Sequence, residues 1–222
     1  MANEIGTLIT GELTRQQTSD LNIAVTALTA FRQAVDANQE WWASRETLPV
    51  VNCCILAAHA VRDILHGMGR KDATVFTSGL RVESVTGETA PASHTIGCPE
   101  AERIPGCWNA HMTVRIGDLI IDPTIGQARY SWNDLPQSAI LRNHVCAGTK
   151  VQFTERHAAH VTTRHLLEDG KQPIQLSYFK LPFRSEQMTR NWRAFPHAHY
   201  ARRARFVEDA LAILRQPQPI AA

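Results

Sequence analysis

The stretch Asn109–Thr124, "NAHMTVRIGDLIIDPT", decides the fold. Two β-branched, apolar runs flank Gly117-Asp118, a pair suited to a two-residue hairpin turn because glycine accepts the φ > 0 that such turns require. With that turn, Ile116 lies opposite Leu119. Pairing continues outward at constant index sum, so Thr113 faces Asp122. Side chains alternate along a strand, which puts His111 on the same face as Thr113. His111 and Asp122 are then diagonal neighbours on one face, within reach of an imidazole–carboxylate hydrogen bond. Such a bond fixes the ring's tautomer and favours its charged form. A slip of one residue would send Asp122 to the other face.

Upstream of the hairpin, "VNCCILAAHAVRDILHGMG" (Val51–Gly69) reads as a helix with two thiols at its mouth. Ile55, Ala58, Val61, Ile64, Leu65 and Met68 line one side, and Gly67 and Gly69 end it. A cysteine at a helix N-terminus meets unpaired backbone N–H groups and the positive end of the dipole, both of which favour thiolate. Beside an oriented imidazole it becomes a nucleophile, and the same N–H groups can serve a developing oxyanion.

Further out, "SDLNIAVTALTAFRQAVDAN" is expected to be a first helix, capped by Ser19 or Asp20. "ATVFTSGLRVESV", "KVQFTER" and "QPIQLSYFKLP" have strand composition, "GETAPASHTIGCPEAERIPG" reads as a long loop, and "SWNDLPQSAILRN" as a short helix with loop. "SEQMTRNWRAF" and the clear helix "HYARRARFVEDALAILRQ" close the chain before the loose tail "PQPIAA". Helices, then strands, then a helix suit an α+β domain with an antiparallel sheet better than a doubly wound fold. Neither GxGxxG nor GxxxxGK[ST] occurs, so a nucleotide cradle is unsupported.

The 222 residues suit one sizeable domain, and a composition of 44 % hydrophobic and 20 % charged residues supports a packed core. A formal net charge of +2 calls for neither a nucleic-acid nor a membrane partner. The N-terminus has no basic start followed by an apolar run, so a reducing cytoplasm is the expectation. Five cysteines, Cys53, Cys54, Cys98, Cys107 and Cys146, with no CxxC pair, argue against a disulfide framework or a zinc ribbon. A zinc site from Cys98, Cys107, His94, His144 and Cys146 is disfavoured by irregular spacing and long loops. His157 and His160 in "HAAHVTTRH" sit in loop or strand context and read as solvated side chains rather than ligands.

Cys53-Cys54 opening a helix, His111 on a strand and Asp122 in "IIDPT" on the next strand together resemble the transglutaminase-like branch of the papain-like cysteine-protease superfamily. The matched core runs from about Asn52 to Gln127. The resemblance implies a papain-like α+β fold: N-terminal helices on an antiparallel sheet, with a C-terminal helix. The flanks beyond that core carry no resemblance, and the chain is read as an N-terminal helical extension (1–50), a transglutaminase-like α+β core (51–182) and a C-terminal helical segment (183–222). The resemblance also selects between the thiols. Family members carry a small residue four positions after the nucleophile and an apolar-Gly pair about fourteen after it. Counting from Cys54 reaches Ala58 and Met68-Gly69, so Cys54 is the expected nucleophile and Cys53 the reserve. The implied function is a cysteine peptidase, amidase or transglutaminase-like acyltransferase that acts on a peptide, protein or small amide or thioester. It works through an acyl-enzyme with a Cys54–His111–Asp122 triad and needs neither metal nor organic cofactor.

Asn52, Trp41, Trp42 and Trp108 are the candidates for substrate contact, since aromatic walls suit apolar acyl or side-chain groups. The sequence departs from the usual small residue before the nucleophile, where "PVVNC" stands. The loop Gly87–Gly106 precedes His111 and is the candidate for shaping the entrance. Bland readings stand beside these: buried cysteines are ordinary core residues, and Asp122 could merely begin a turn. Two other functions compete, an inactive binding module on the same fold and an adaptor using the arginines at 184, 190, 193, 202, 203 and 205.

Overall fold

The computed structural model describes residues 5–9, 11–38, 54–85, 92–97, 110–143, 148–154, 157–167, 173–181 and 200–216. The chain is α+β, with a large, mostly antiparallel sheet and, among the described residues, three α-helices. The strands are β1 (Ile5–Leu8), β2 (Thr74–Ser84), β3 (Ser93–Ile96), β4 (His111–Ile116), β5 (Leu119–Asp122), β6 (Ser138–Arg142), β7 (Lys150–Thr154), β8 (His157–Leu167) and β9 (Ile174–Phe179). They run in the order β1-β6-β5-β4-β2-β9-β8-β7, with β3 paired to β2. Among the described residues only β1 and β6 run parallel. The helices are α1 (Arg15–Ala37), α2 (Cys54–Gly67) and α3 (Tyr200–Arg215). None of them is long and apolar enough to cross a membrane.

Long β2 is the hinge of the sheet. Residues 74–78 pair with β4, whereas residues 79–84 pair with β9 and 80–83 with β3. The crossing is tight at Gly79, where an added Cβ would meet the Phe179 ring at 2.0 Å. Only a residue without a side chain lets that ring lie across the strand.

The two faces of the sheet carry separate cores. On one face, Met112, Val114, Ile116, Leu119, Ile121 and Ile140 pack with α1, α2 and α3 in a single cluster. The alternate positions, among them Leu80, Val82, Ile120, Leu141, Leu176 and Tyr178, form a second cluster on the other face. The α2 helix is buried on nearly every side, from Cys54 through Val61 and again at Ile64 and Leu65. Its sequence is apolar nearly all round because α1, α3 and the sheet surround it. It ends as expected at Gly67, with the Arg70 amide bonded back to the Leu65 carbonyl.

Several expectations are corrected. Thr14, not Ser19 or Asp20, caps α1, through a reciprocal capping box with Gln17. Asp20 lies inside the helix and binds Arg70 at 2.6 Å. The stretch read as a short helix with loop, "SWNDLPQSAILRN", contains β6 instead, and a short 3-10 turn occupies Ile125–Ala128. Within the expected long loop, Ser93–Ile96 forms β3, and β1 adds an edge strand where no element was expected. "SEQMTRNWRAF" lies outside the described residues.

Candidate active site

The hairpin adopts the register counted from its sequence: Val114 pairs with Ile121, Arg115 with Ile120 and Ile116 with Leu119. Because Met112 and Val114 point to the helical core, His111 points to the opposite face, where Asp122 also lies. His111 Nε2 donates to Asp122 Oδ2 at 2.6 Å, and both side chains are 0 % exposed. The Thr124 amide donates to Oδ1 at 3.0 Å, and the Tyr178 hydroxyl donates to Oδ2 at 2.8 Å. Asp122 therefore has donors on both oxygens, and its plane is fixed. The turn behind it is held in place as well, since Ser138 of β6 donates to the Pro123 carbonyl at 2.8 Å.

Cys54 reaches this pair because α2 begins where β4 begins. Its Sγ lies 3.9 Å from the carbonyl oxygen of Ala110, the residue before His111, and its side chain is 6 % exposed. No acidic residue stands in the first turn of α2 to oppose an anion there. The second ring nitrogen of His111, Nδ1, is buried and lacks a partner at ordinary hydrogen-bond geometry. The thiol is nonetheless an immediate acid–base neighbour of the ring. Burial, the largest influence on His111, lowers its proton affinity. The charge and hydrogen bond of Asp122, then the hydrogen bond and charge of Cys54, outweigh it and raise the pKa from 6.5 to about 10. The balance favours the charged form of the ring at neutral pH.

Polar atoms without partners gather around the pair. Ser78 lies directly across from His111 in the β2–β4 ladder, and its hydroxyl is buried and unpartnered. The hydroxyls of Thr113 and Thr124 are in the same condition. Buried hydroxyls of this kind carry a desolvation cost that ordinary core positions avoid.

Of the residues singled out from the sequence, Cys54, His111 and Asp122 come together. Cys53, Asn52, Trp41, Trp42 and Trp108 lie outside the described residues, as do Cys98, Cys107, His144 and Cys146. His94 spends its Nδ1 on the Tyr130 hydroxyl at 2.9 Å. The stretch "HAAHVTTRH" lies in β8, and His160 is exposed. Tyr178 was missed: nothing in "QLSYF" marks it, because it reaches Asp122 only through the pairing of β9 with β2. Comparison with family models, with curated proteins and with solved structures finds no match to this chain.

Proposed function

We propose that the chain is a cysteine-nucleophile enzyme of the papain-like, transglutaminase-like kind, acting on an amide or thioester through an acyl-enzyme. The observation that carries this reading is the fully buried His111–Asp122 bond of 2.6 Å beside the thiol that opens α2. A buried ion-pair-forming histidine is costly to keep for packing alone, and a thiol next to it gives it a task.

In the proposed cycle His111 starts charged, holding the proton of the Cys54 thiol, and the sulfur attacks the substrate carbonyl carbon. The C–S bond forms as the carbonyl π pair moves onto oxygen. The first amides of α2 have no intrahelical acceptor and are the donors available to that oxyanion. When the oxygen pair returns, the bond to the leaving amine or thiol breaks, and His111 protonates the leaving group. Water or an amine, deprotonated by His111, then attacks the thioester and releases the Cys54 sulfur, with the proton again on His111. Asp122 stays ionised throughout, holding the imidazole in register.

The arginine-rich alternative has less to draw on. Arg203 binds Asp63 at 2.9 Å, Arg205 donates to Asn38 at 2.8 Å, and Arg202 is buried. Arg203 and Arg205 tie α3 to α2 and to the end of α1, and Arg184, Arg190 and Arg193 lie outside the described residues.

The test uses iodoacetamide on the native protein near neutral pH, with labelled sites located by mass spectrometry. Fast, selective labelling of Cys54, with its loss in Cys54→Ala and an unchanged circular dichroism spectrum, is the expected result. Labelling of Cys54 no faster than at the other thiols would return the chain to the class of inactive binding modules. An acyl adduct on Cys54 after incubation with cell extract would identify half of the substrate by its mass.

A further inference from the structure

Asp122 Oδ2 is shared. It accepts from His111 Nε2 at 2.6 Å and from the Tyr178 hydroxyl at 2.8 Å, while Thr124 occupies Oδ1. Tyr178 comes from β9, opposite Leu80 of β2, and is 0 % exposed. Its ring centroid lies 6.3 Å from that of His111, and its hydroxyl bonds the carboxylate while the imidazole's Nδ1 has no hydrogen-bond partner among the described residues. Two donors on one oxygen compete for the same charge. Each weakens the oxygen's hold on the other.

We propose that Tyr178 is a positioning residue of the site, whose phenol, by sharing Asp122 Oδ2 with His111, sets how strongly the carboxylate holds the imidazole's proton. Its meaning for catalysis rests on the acyl-enzyme reading above. A histidine held too tightly accepts the thiol proton readily but surrenders it slowly to the leaving group. Tyr178 tempers the grip of Asp122 and so keeps both transfers open. Burial first, and then the charge of Asp122, push ionisation of the phenol well above its ordinary range, so it stays a donor at every working pH. A tyrosine that merely filled the second core would stabilise the fold without touching the titration of His111.

The experiment is an imidazole nitrogen NMR titration of the full chain, with the His111 signal assigned by its loss in His111→Gln. Tyr178→Phe removes the competing donor and is expected to raise the His111 midpoint by about half a unit or more. Incorporation of 3-fluorotyrosine, a stronger donor of the same shape, is expected to lower it. This second arm decides the matter if Tyr178→Phe does not fold. A midpoint that stays put, or moves the opposite way, in the arm that can be measured overturns the proposal. Iodoacetamide labelling of wild-type Cys54 is scored separately. Its failure sinks the nucleophile while leaving the Tyr178–Asp122–His111 coupling standing, and the reverse pattern sinks only Tyr178.

Discussion

Asp122 decides the charge of His111, because burial alone would leave that ring neutral. The neutral isostere separates the two influences. In Asp122→Asn the carboxylate charge is gone and burial, already the largest influence on the ring, acts against Cys54 alone. The His111 midpoint is expected to drop from about 10 to below the ordinary 6.5, read by the same nitrogen titration. Alkylation of Cys54 at neutral pH should slow by about tenfold or more, because a neutral imidazole no longer stabilises the attacking thiolate. A His111 midpoint unchanged in this variant would show that something other than Asp122 holds the proton. This part of the site was legible in advance because it is local. Eleven residues separate His111 from Asp122, and one turn fixes their relation. Tyr178 lies fifty-six residues from Asp122, and no local pattern encodes such a contact.

The hairpin that presents these side chains is itself clamped by α1. Gly117 has φ +54, and an added Cβ would sit 2.7 Å from Asp20 Oδ2. Asp20 is held there by Arg70 at 2.6 Å and Gln16 at 2.7 Å, and Gln17 donates to Asp118 at 3.1 Å. Gly117→Ala therefore combines a left-handed backbone with a clash against an anchored carboxylate. It is expected to cost about 1–3 kcal/mol in urea-unfolding stability. A cost near zero would mean that the turn is free to move away from α1. Turn chemistry and alternation made β4 and β5 readable, strand composition β2, β7 and β9, and apolar periodicity α1 and α2. The failures share a different cause. β1 and β3 are four residues long, too short to display a period, and β1 exists because β6 offers it an edge. β6 carries Ala, Leu and Arg, good helix formers, yet antiparallel β5 and parallel β1 bracket it. Tertiary pairing overrode local preference there.

The charged pair is fully buried, so its titration bears on global stability. His111 has a folded pKa raised from 6.5 to about 10. Its contribution is complete below about 6.5, declines as pH rises and is gone above about 10, because the unfolded chain sheds the proton first. Tyr178 acts in the same direction at higher pH. Its ionisation is raised well above 10.0, so its contribution begins to fall once the unfolded phenol ionises. The wild-type melting temperature should therefore slope downward from near neutrality into the alkaline range. In Asp122→Asn the sign for His111 reverses. A folded midpoint depressed by burial gives stability that is present above the unfolded value and lost as pH falls through the folded one. The variant should lose the His111 part of the alkaline slope and acquire an acid-side slope in its place. Thermal melts of both proteins from pH 5 to pH 10.5 check this. Parallel curves would mean that the histidine–carboxylate pair, though fully buried, does not couple its proton to folding.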